Sequence, residues 1–336
     1  MTLSKVFDFC SKFPNFSVRR SWPVAFPRAV AQEAIGRGRA AAYAAYLDAE
    51  LLRFWGGWQE RSSGGSSPWP SVRVVARLRE VLPAARTFVD VGAAAYEGPD
   101  ECFACLFARL WGCDRLLVAV EPDGAALRAT RDRYPDVSPC VRWHAVALSN
   151  ATGAAGLRGA KPNTATLQPL VSGTVDEYAG DDARAVSTWT LVDFAERYYP
   201  GKLEEVDVLK IDAEGHDWAV LQGAESFLRR GAIKVVLFEL SNAMNEDFFR
   251  IHRLGGRSER LHSAREPTLR SLVRWLDELA YDTYLVGPVL IPLWGAWWRD
   301  EYEVCLRPAP VCWYDVLAVS RAAEGLAHAL TAAFPL

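Results

Sequence analysis

From residue 72 onward, short apolar runs alternate with amphipathic stretches. Residues 72–81 repeat their apolar side chains at helical spacing. Residues 86–91 (RTFVDV) make an apolar run of strand length that stops at a Gly/Ala stretch. A helix is expected over 101–111, a second strand over 115–120, a helix over 123–133 and a third strand over 141–147. A helix at 190–198 leads to a fourth apolar strand at 206–211. Next come a helix from 217 to 230, closed by Gly231, and a fifth strand at 233–240. Helical pattern runs on to residue 280, and strand-like segments follow at 282–286 and 313–319. Apolar strands joined through helices need crossover connections, so both faces of their sheet are covered. The pattern therefore predicts a doubly wound, mostly parallel α/β sheet of seven strands. Residues 150–185, rich in Gly, Ala, Thr and Asp, are expected to form an irregular insert with one hairpin.

The first 61 residues stand apart. Residues 27–58 are rich in Ala, Leu and Arg, which favours helix. The Ser62–Pro68 run (SSGGSSP) has no side chains that build a core. The expected organisation is a helical N-terminal extension over 1–61, a Ser/Gly/Pro linker over 62–70 and a catalytic domain over 71–336. Five basic residues against one acid in the first 31 resemble an organellar transit composition. The remainder reads as a soluble, cytoplasmic chain.

Composition narrows the function classes. Half of the 336 residues are apolar and 24% are charged, with a net charge of −3. There is no basic arm for nucleic acid, so no nucleic-acid partner is expected. No apolar run reaches 18 residues, so no membrane span is expected. Seven cysteines over this length do not make a disulfide framework. Cys102 and Cys105 form a lone C-x-x-C on a helix and are expected to be buried thiols rather than zinc ligands. The late tryptophans Trp294, Trp297, Trp298 and Trp313 are expected to fill core and domain edges.

In an open parallel sheet, ligands bind beyond the carboxyl ends of the strands. Strand one ends in VDVGAAAYEG, where Asp90 precedes Gly92 and Gly98; small residues let a backbone approach a ligand closely. Strand two ends in VAVEP, which puts Glu121 where an acid can accept hydrogen bonds from ribose hydroxyls. Glu121 lies 29 residues after Gly92, and Gly92-Ala93-Ala94 lacks the second glycine of a dinucleotide fingerprint, which disfavours a nicotinamide cofactor. Strand four ends in KIDAEGHDW. Asp212, Glu214, His216 and Asp217 there would be costly to bury without a role, though Asp217 also suits a helix start. Glu239 in VVLFEL either meets the substrate or pairs with Lys210.

These segments resemble the FkbM-type methyltransferases. VDVGA, VAVEP, WHAVALSNATG, TWTLVDF, VVLFEL and WYDVLAVSR each look like a piece of that family's pattern. VDVLKIDAEGHDWAVLQGA carries its most recognisable signature. The resemblance spans residues 86–320. The first loop departs from it, with Ala94 in place of an Asn and a later glycine. The resemblance implies a class I, Rossmann-like methyltransferase that uses S-adenosyl-L-methionine on a hydroxyl of a small molecule or glycan. It implies that Asp90, Gly92 and Gly98 shape the methionine end of the cofactor site. Glu121 would bind the ribose, and Ala147 and Leu148 would lie by the adenine. Asp212, Glu214 and His216 would form the catalytic group, with His216 as the expected base and Asp212 as the alternative base or as the residue orienting His216. No metal is expected, because no ligand set is complete. A nicotinamide-dependent oxidoreductase and a non-catalytic protein of the same fold remain the competing readings.

Overall fold

The computed structural model describes residues 70–94, 102–158, 166–169, 184–241, 269–286, 290–294, 298 and 313–333. The expected extension (1–61), most of the linker, Gly98 and Trp297 lie outside these residues. In chain order the elements are α1 (Pro70–Val81), β1 (Thr87–Val91), α2 (Phe103–Trp111), β2 (Leu116–Val120) and α3 (Gly124–Arg133). Then come β3 (Val141–His144), β4 (Ala147–Leu148), β5 (Gly153–Arg158), β6 (Thr166–Pro169), β7 (Arg184–Trp189) and α4 (Leu191–Tyr198). They are followed by β8 (Val206–Ile211), α5 (Asp217–Gly223), α6 (Glu225–Arg229) and β9 (Ile233–Ser241). The last described elements are α7 (Leu269–Glu278), β10 (Tyr281–Val286), β11 (Leu290–Pro292), β12 (Trp313–Ser320) and α8 (Leu326–Ala333).

Two compact units divide the chain, one of Leu82–Pro267 and one of Met1–Val81 with Thr268–Leu336. In the first, five strands pair in parallel in the order β3-β2-β1-β8-β9. All six residues of β8 are buried, as a strand covered on both faces requires. The helix α2 packs its apolar face on β1 and β2, and Phe88 stacks on Phe107 with ring centroids 4.8 Å apart. The chain leaves β1 towards β2 and β3 on one side and returns through β8 and β9 on the other. That reversal makes a crevice between β1 and β8 at their carboxyl ends.

Three expectations for this unit are corrected. The third strand ends at His144, and Ala147–Leu148 instead pairs in parallel with β7 in a second sheet of order β4-β7-β5-β6. Among the described residues of the insert, β5 and β6 form the expected hairpin and β5 also pairs with β7. Its strand β5 (GAAGLR) lacks the β-branched side chains that advertise a strand in sequence. The helix expected over 217–230 breaks at Ala224 into α5 and α6. Cys102 and Cys105, expected as thiols, are paired with each other, and Cys113 is paired with Cys140.

In the other unit β10 pairs antiparallel with both β11 and β12. The prediction of a mostly parallel seven-stranded sheet is thereby corrected to a mixed α/β arrangement with antiparallel strands. A strand buried on both faces does not report its direction, and β10 is buried along all six residues, Asp282 and Thr283 included. The helix α7 packs on β10, and α8 packs on α1 and β12. Trp294 is buried, as expected of a core tryptophan. Among the described residues no helix is long and apolar enough to cross a membrane.

Candidate active site

The loop after β1 begins with a buried acid. Asp90 accepts a hydrogen bond from the Ala104 N–H at the start of α2 (2.8 Å), while its other oxygen, Oδ1, has no partner. Burial pushes its carboxyl up to about 6, against the opposing pull of Lys210. Gly92 follows with φ +76° and donates its N–H to Val120 O at 2.9 Å. A Cβ at Gly92 would lie 1.7 Å from Asp212 O. Only a glycine lets the ends of β1 and β8 close to this distance.

Glu121 ends β2 and is 7% exposed. One carboxylate oxygen accepts the Asp123 N–H at 2.8 Å. Burial, then the charges of Asp123, Asp90 and Asp212, raise its carboxyl to about 7 against the lowering effect of the Asp123 N–H. Asp123 caps α3 through its side chain and is gripped by both guanidinium nitrogens of Arg184, from β7, at 2.8 and 3.3 Å. The second sheet is thus fastened beside Glu121.

Four ionisable groups follow β8, and their surroundings separate them. Asp212 is bonded by the Lys210 ammonium at 2.9 Å. Its burial alone would raise its carboxyl, yet Lys210 and a hydrogen bond from Glu239 hold it below the usual range. Glu239 therefore works alongside Lys210 at this carboxylate. Asp217 is buried and accepts the Ala213 N–H at 3.2 Å, which pins the turn. Burial, then Asp212, pushes its carboxyl up to about 7. His216 shares a hydrogen bond between Nε2 and Ser149 Oγ at 2.9 Å, and burial lowers its pKa to about 4, so the ring is neutral near pH 7.

Glu214 differs from its neighbours. It has φ +51°, a conformation that side chains other than Gly, Asn and Asp rarely adopt. Its side chain is exposed at the crevice, and no hydrogen bond or ion pair holds it among the described residues. Surrounding protein and then Asp212 push its carboxyl up to about 7. Water on its exposed side softens that push until the crevice is covered.

Ala147 and Leu148 are both 2% exposed in β4. The turn after them is clamped to α5 by three contacts. One is the Ser149–His216 bond, a second joins Asn150 Nδ2 to Gln222 Oε1 at 3.3 Å, and the third is the approach of Gly223 to Ser149 O, which a Cβ would meet at 1.9 Å.

The structure brings Asp90, Gly92, Glu121, Asp212 and Glu214 to adjoining strand ends. Asp90 stands opposite Ala119 and Lys210 in register, so β2 and β8 flank it. His216 sits at the α5 start, against the β4 turn. Gly98 lies outside the described residues. Sequence reasoning missed Ser149 and Arg184, which are 67 and 61 residues from their partners. It noted Lys210 only as a partner for Glu239, although spacing of two along a strand already puts Lys210 and Asp212 on one face. Among the described residues no group of three or more His, Cys, Asp or Glu is arranged to hold a metal ion.

A family model, the Methyltransferase FkbM domain, matches residues 90–282, more than half of the chain. The comparison with curated proteins gives no match. Among solved structures, the methyltransferase FkbM from Methylobacillus flagellatus KT is similar at 14% identity and a TM-score of 0.38. The match covers 70% of this chain and 43% of that one.

Proposed function

The chain belongs to the FkbM methyltransferase family, and on that premise we propose that it moves the methyl group of S-adenosyl-L-methionine to a hydroxyl of a small molecule or glycan. The observation that carries this reading is the convergence of Asp90, Glu121 and Asp212 at one crevice. Asp90 and Asp212 each raise the cost of ionising Glu121, a cost that a bound cation would relieve. When bound, S-adenosyl-L-methionine supplies a methyl group already activated on a cationic sulfonium. The residues fit such a group: the orphaned Asp90 Oδ1 and the neighbouring carboxylates of Glu121, Asp212 and Glu214 suit a cationic adenosyl ligand.

In this reading Glu121 uses its oxygen not engaged by Asp123 to accept a ribose hydroxyl. Ala147 and Leu148 wall the adenine, and the turn after them is fixed by Ser149 and His216. Asp212, kept ionised by Lys210, offsets positive charge at the reacting centre. Holding the acceptor in line is worth about 7–11 kcal/mol of the barrier. His216 was the expected base, but its Nε2 is engaged with Ser149. Glu214 is exposed, unpaired and tuned towards neutrality, which suits it to take the hydroxyl proton. His216 then orients the turn that carries it.

Thermal shift tests the cofactor directly, because a ligand of the folded state raises its apparent stability. S-adenosylhomocysteine is expected to raise the melting temperature and NAD to leave it unchanged. A rise with NAD alone would replace this reading with an oxidoreductase, and no rise with either would favour a non-catalytic protein of the same fold.

A further inference from the structure

We propose that Cys102 and Cys105 form a thiol–disulfide exchange site for dithiol reductants, and that its oxidation state sets how tightly the ends of β1 and β8 hold the cofactor; the cofactor part rests on the function proposed above. The two sulfurs are bonded across the first turn of α2. The residues enclosed by that small ring are the ones that touch the site. Ala104 gives its N–H to the buried Asp90. The Phe103 ring lies under the Lys210 ammonium, 4.5 Å from its centroid, and Lys210 in turn holds Asp212. The ring therefore fixes, in one turn of helix, a contact to the acid ending β1 and a contact to the cation behind the acid ending β8.

Two features make this pair the reducible one. The bond closes only three residues of separation, against 27 for Cys113–Cys140. A short loop restrains little of the unfolded chain, so folding resists its reduction less. Cys102 is also the N-cap of α2, and its sulfur already accepts the Cys105 N–H at 3.2 Å. Helix N-termini stabilise thiolates, and a stabilised thiolate leaves faster. The thiolate of a dithiol attacks Cys105 Sγ, and Cys102 leaves as a thiolate that takes up a proton. The second thiol of the reductant then displaces Cys105 and closes to a cyclic disulfide. Two electrons pass from the dithiol to the pair, which ends as two thiols.

Both cysteines are buried, so attack requires the turn to open. A cofactor held at the ends of β1 and β8 opposes that opening. By linkage, reduction weakens the cofactor by the same factor that the cofactor favours the disulfide.

The test uses the full chain, oxidised in air or reduced with dithiothreitol, with each disulfide mapped by alkylation and mass spectrometry. Reduction of Cys102–Cys105 is expected to weaken S-adenosylhomocysteine about tenfold by calorimetry, within the usual range of coupling. The Cys102→Ala/Cys105→Ala variant is expected to show the weak affinity with or without reductant, while Cys113→Ser/Cys140→Ser still responds to it. Hydrogen exchange of the 103–106 amides, which needs no ligand, is expected to accelerate on reduction. Unchanged exchange with the pair shown to be reduced would overturn the site, as would free thiols at Cys102 and Cys105 in the air-oxidised protein. Accelerated exchange with no S-adenosylhomocysteine binding in either state would instead count against the proposed function and leave the exchange site standing. Accelerated exchange with equal affinity in both states would overturn the coupling.

Discussion

Adding a methyl group at Gly92 should cost far more than adding one at Gly215. Both glycines have positive φ, +76° and +88°. Alanine at either position therefore carries the same left-handed penalty of about 1–2 kcal/mol. At Gly215 nothing lies within 4 Å of the new carbon, so that penalty is the whole effect. At Gly92 the carbon would stand 1.7 Å from the Asp212 carbonyl oxygen. The ends of β1 and β8 must then separate. That movement breaks or stretches the Gly92 N–H bond to Val120 O and the Asp212 N–H bond to Val91 O, both 2.9 Å long. Each is worth about 1 kcal/mol net, and a buried group left unpaired costs about 1–3 kcal/mol. The expected loss is about 1–2 kcal/mol for Gly215→Ala and roughly 3–5 kcal/mol for Gly92→Ala. Urea unfolding with an unchanged slope measures both. Equal destabilisation of the two variants would refute the contact between the strand ends.

Glu121 must be ionised to accept ribose hydroxyls, and its carboxyl sits at about 7. Affinity for S-adenosylhomocysteine is therefore expected to rise about tenfold from pH 6 to pH 8, and calorimetry should find Glu121→Gln weak and flat over that range. Asp217 is raised from 3.8 to about 7 in the folded state, so it stabilises the fold relative to the ionised form at low pH, and that stability is lost as pH climbs from 4 to 7. Asp217→Asn is expected to be near neutral at pH 4 and to gain on the wild type by pH 8; at about 1.4 kcal/mol per unit the ceiling is about 4 kcal/mol, and denaturant titrations at the two pH values would expose a missing pH dependence. Removing the Cys113–Cys140 bond by Cys113→Ser/Cys140→Ser should cost about 3–4 kcal/mol from the length of the loop it closes, seen as a lower melting temperature that matches the wild type once both are reduced.

What the sequence disclosed follows from what local pattern can carry. The β8 run VDVLKI was legible because apolar side chains fill four of its six positions, as expected of a strand covered on both faces. The Asp212–Asp217 cluster was legible because ionisable groups crowded at a strand end need a reason to be there. Gly231 was legible as a helix stop, and its φ of +69° agrees. Strand direction was not legible: Tyr281–Val286 is buried along its whole length like a parallel strand, yet its neighbours β11 and β12 run against it. The insert hid its strands because GAAGLR has almost no alternation of large and small or apolar and polar side chains. The hydrogen bond of the expected base, His216, was hidden for a related reason. It depends on Ser149, a partner far away in the chain, and no spacing rule reaches that distance. Cysteine pairing failed in the same way for Cys113 and Cys140, whereas the C-x-x-C was visible and was read as two thiols.

The central claim is that one crevice at the ends of β1, β2 and β8 is built for adenosyl sulfonium. A crystal structure with S-adenosylhomocysteine tests it most directly. The account predicts the ribose hydroxyls on Glu121, the amino-acid end beside Asp90 and Gly92, and the sulfur turned towards Asp212 and Glu214. Density for the ligand away from these strand ends, or a ribose with no contact to Glu121, would contradict it.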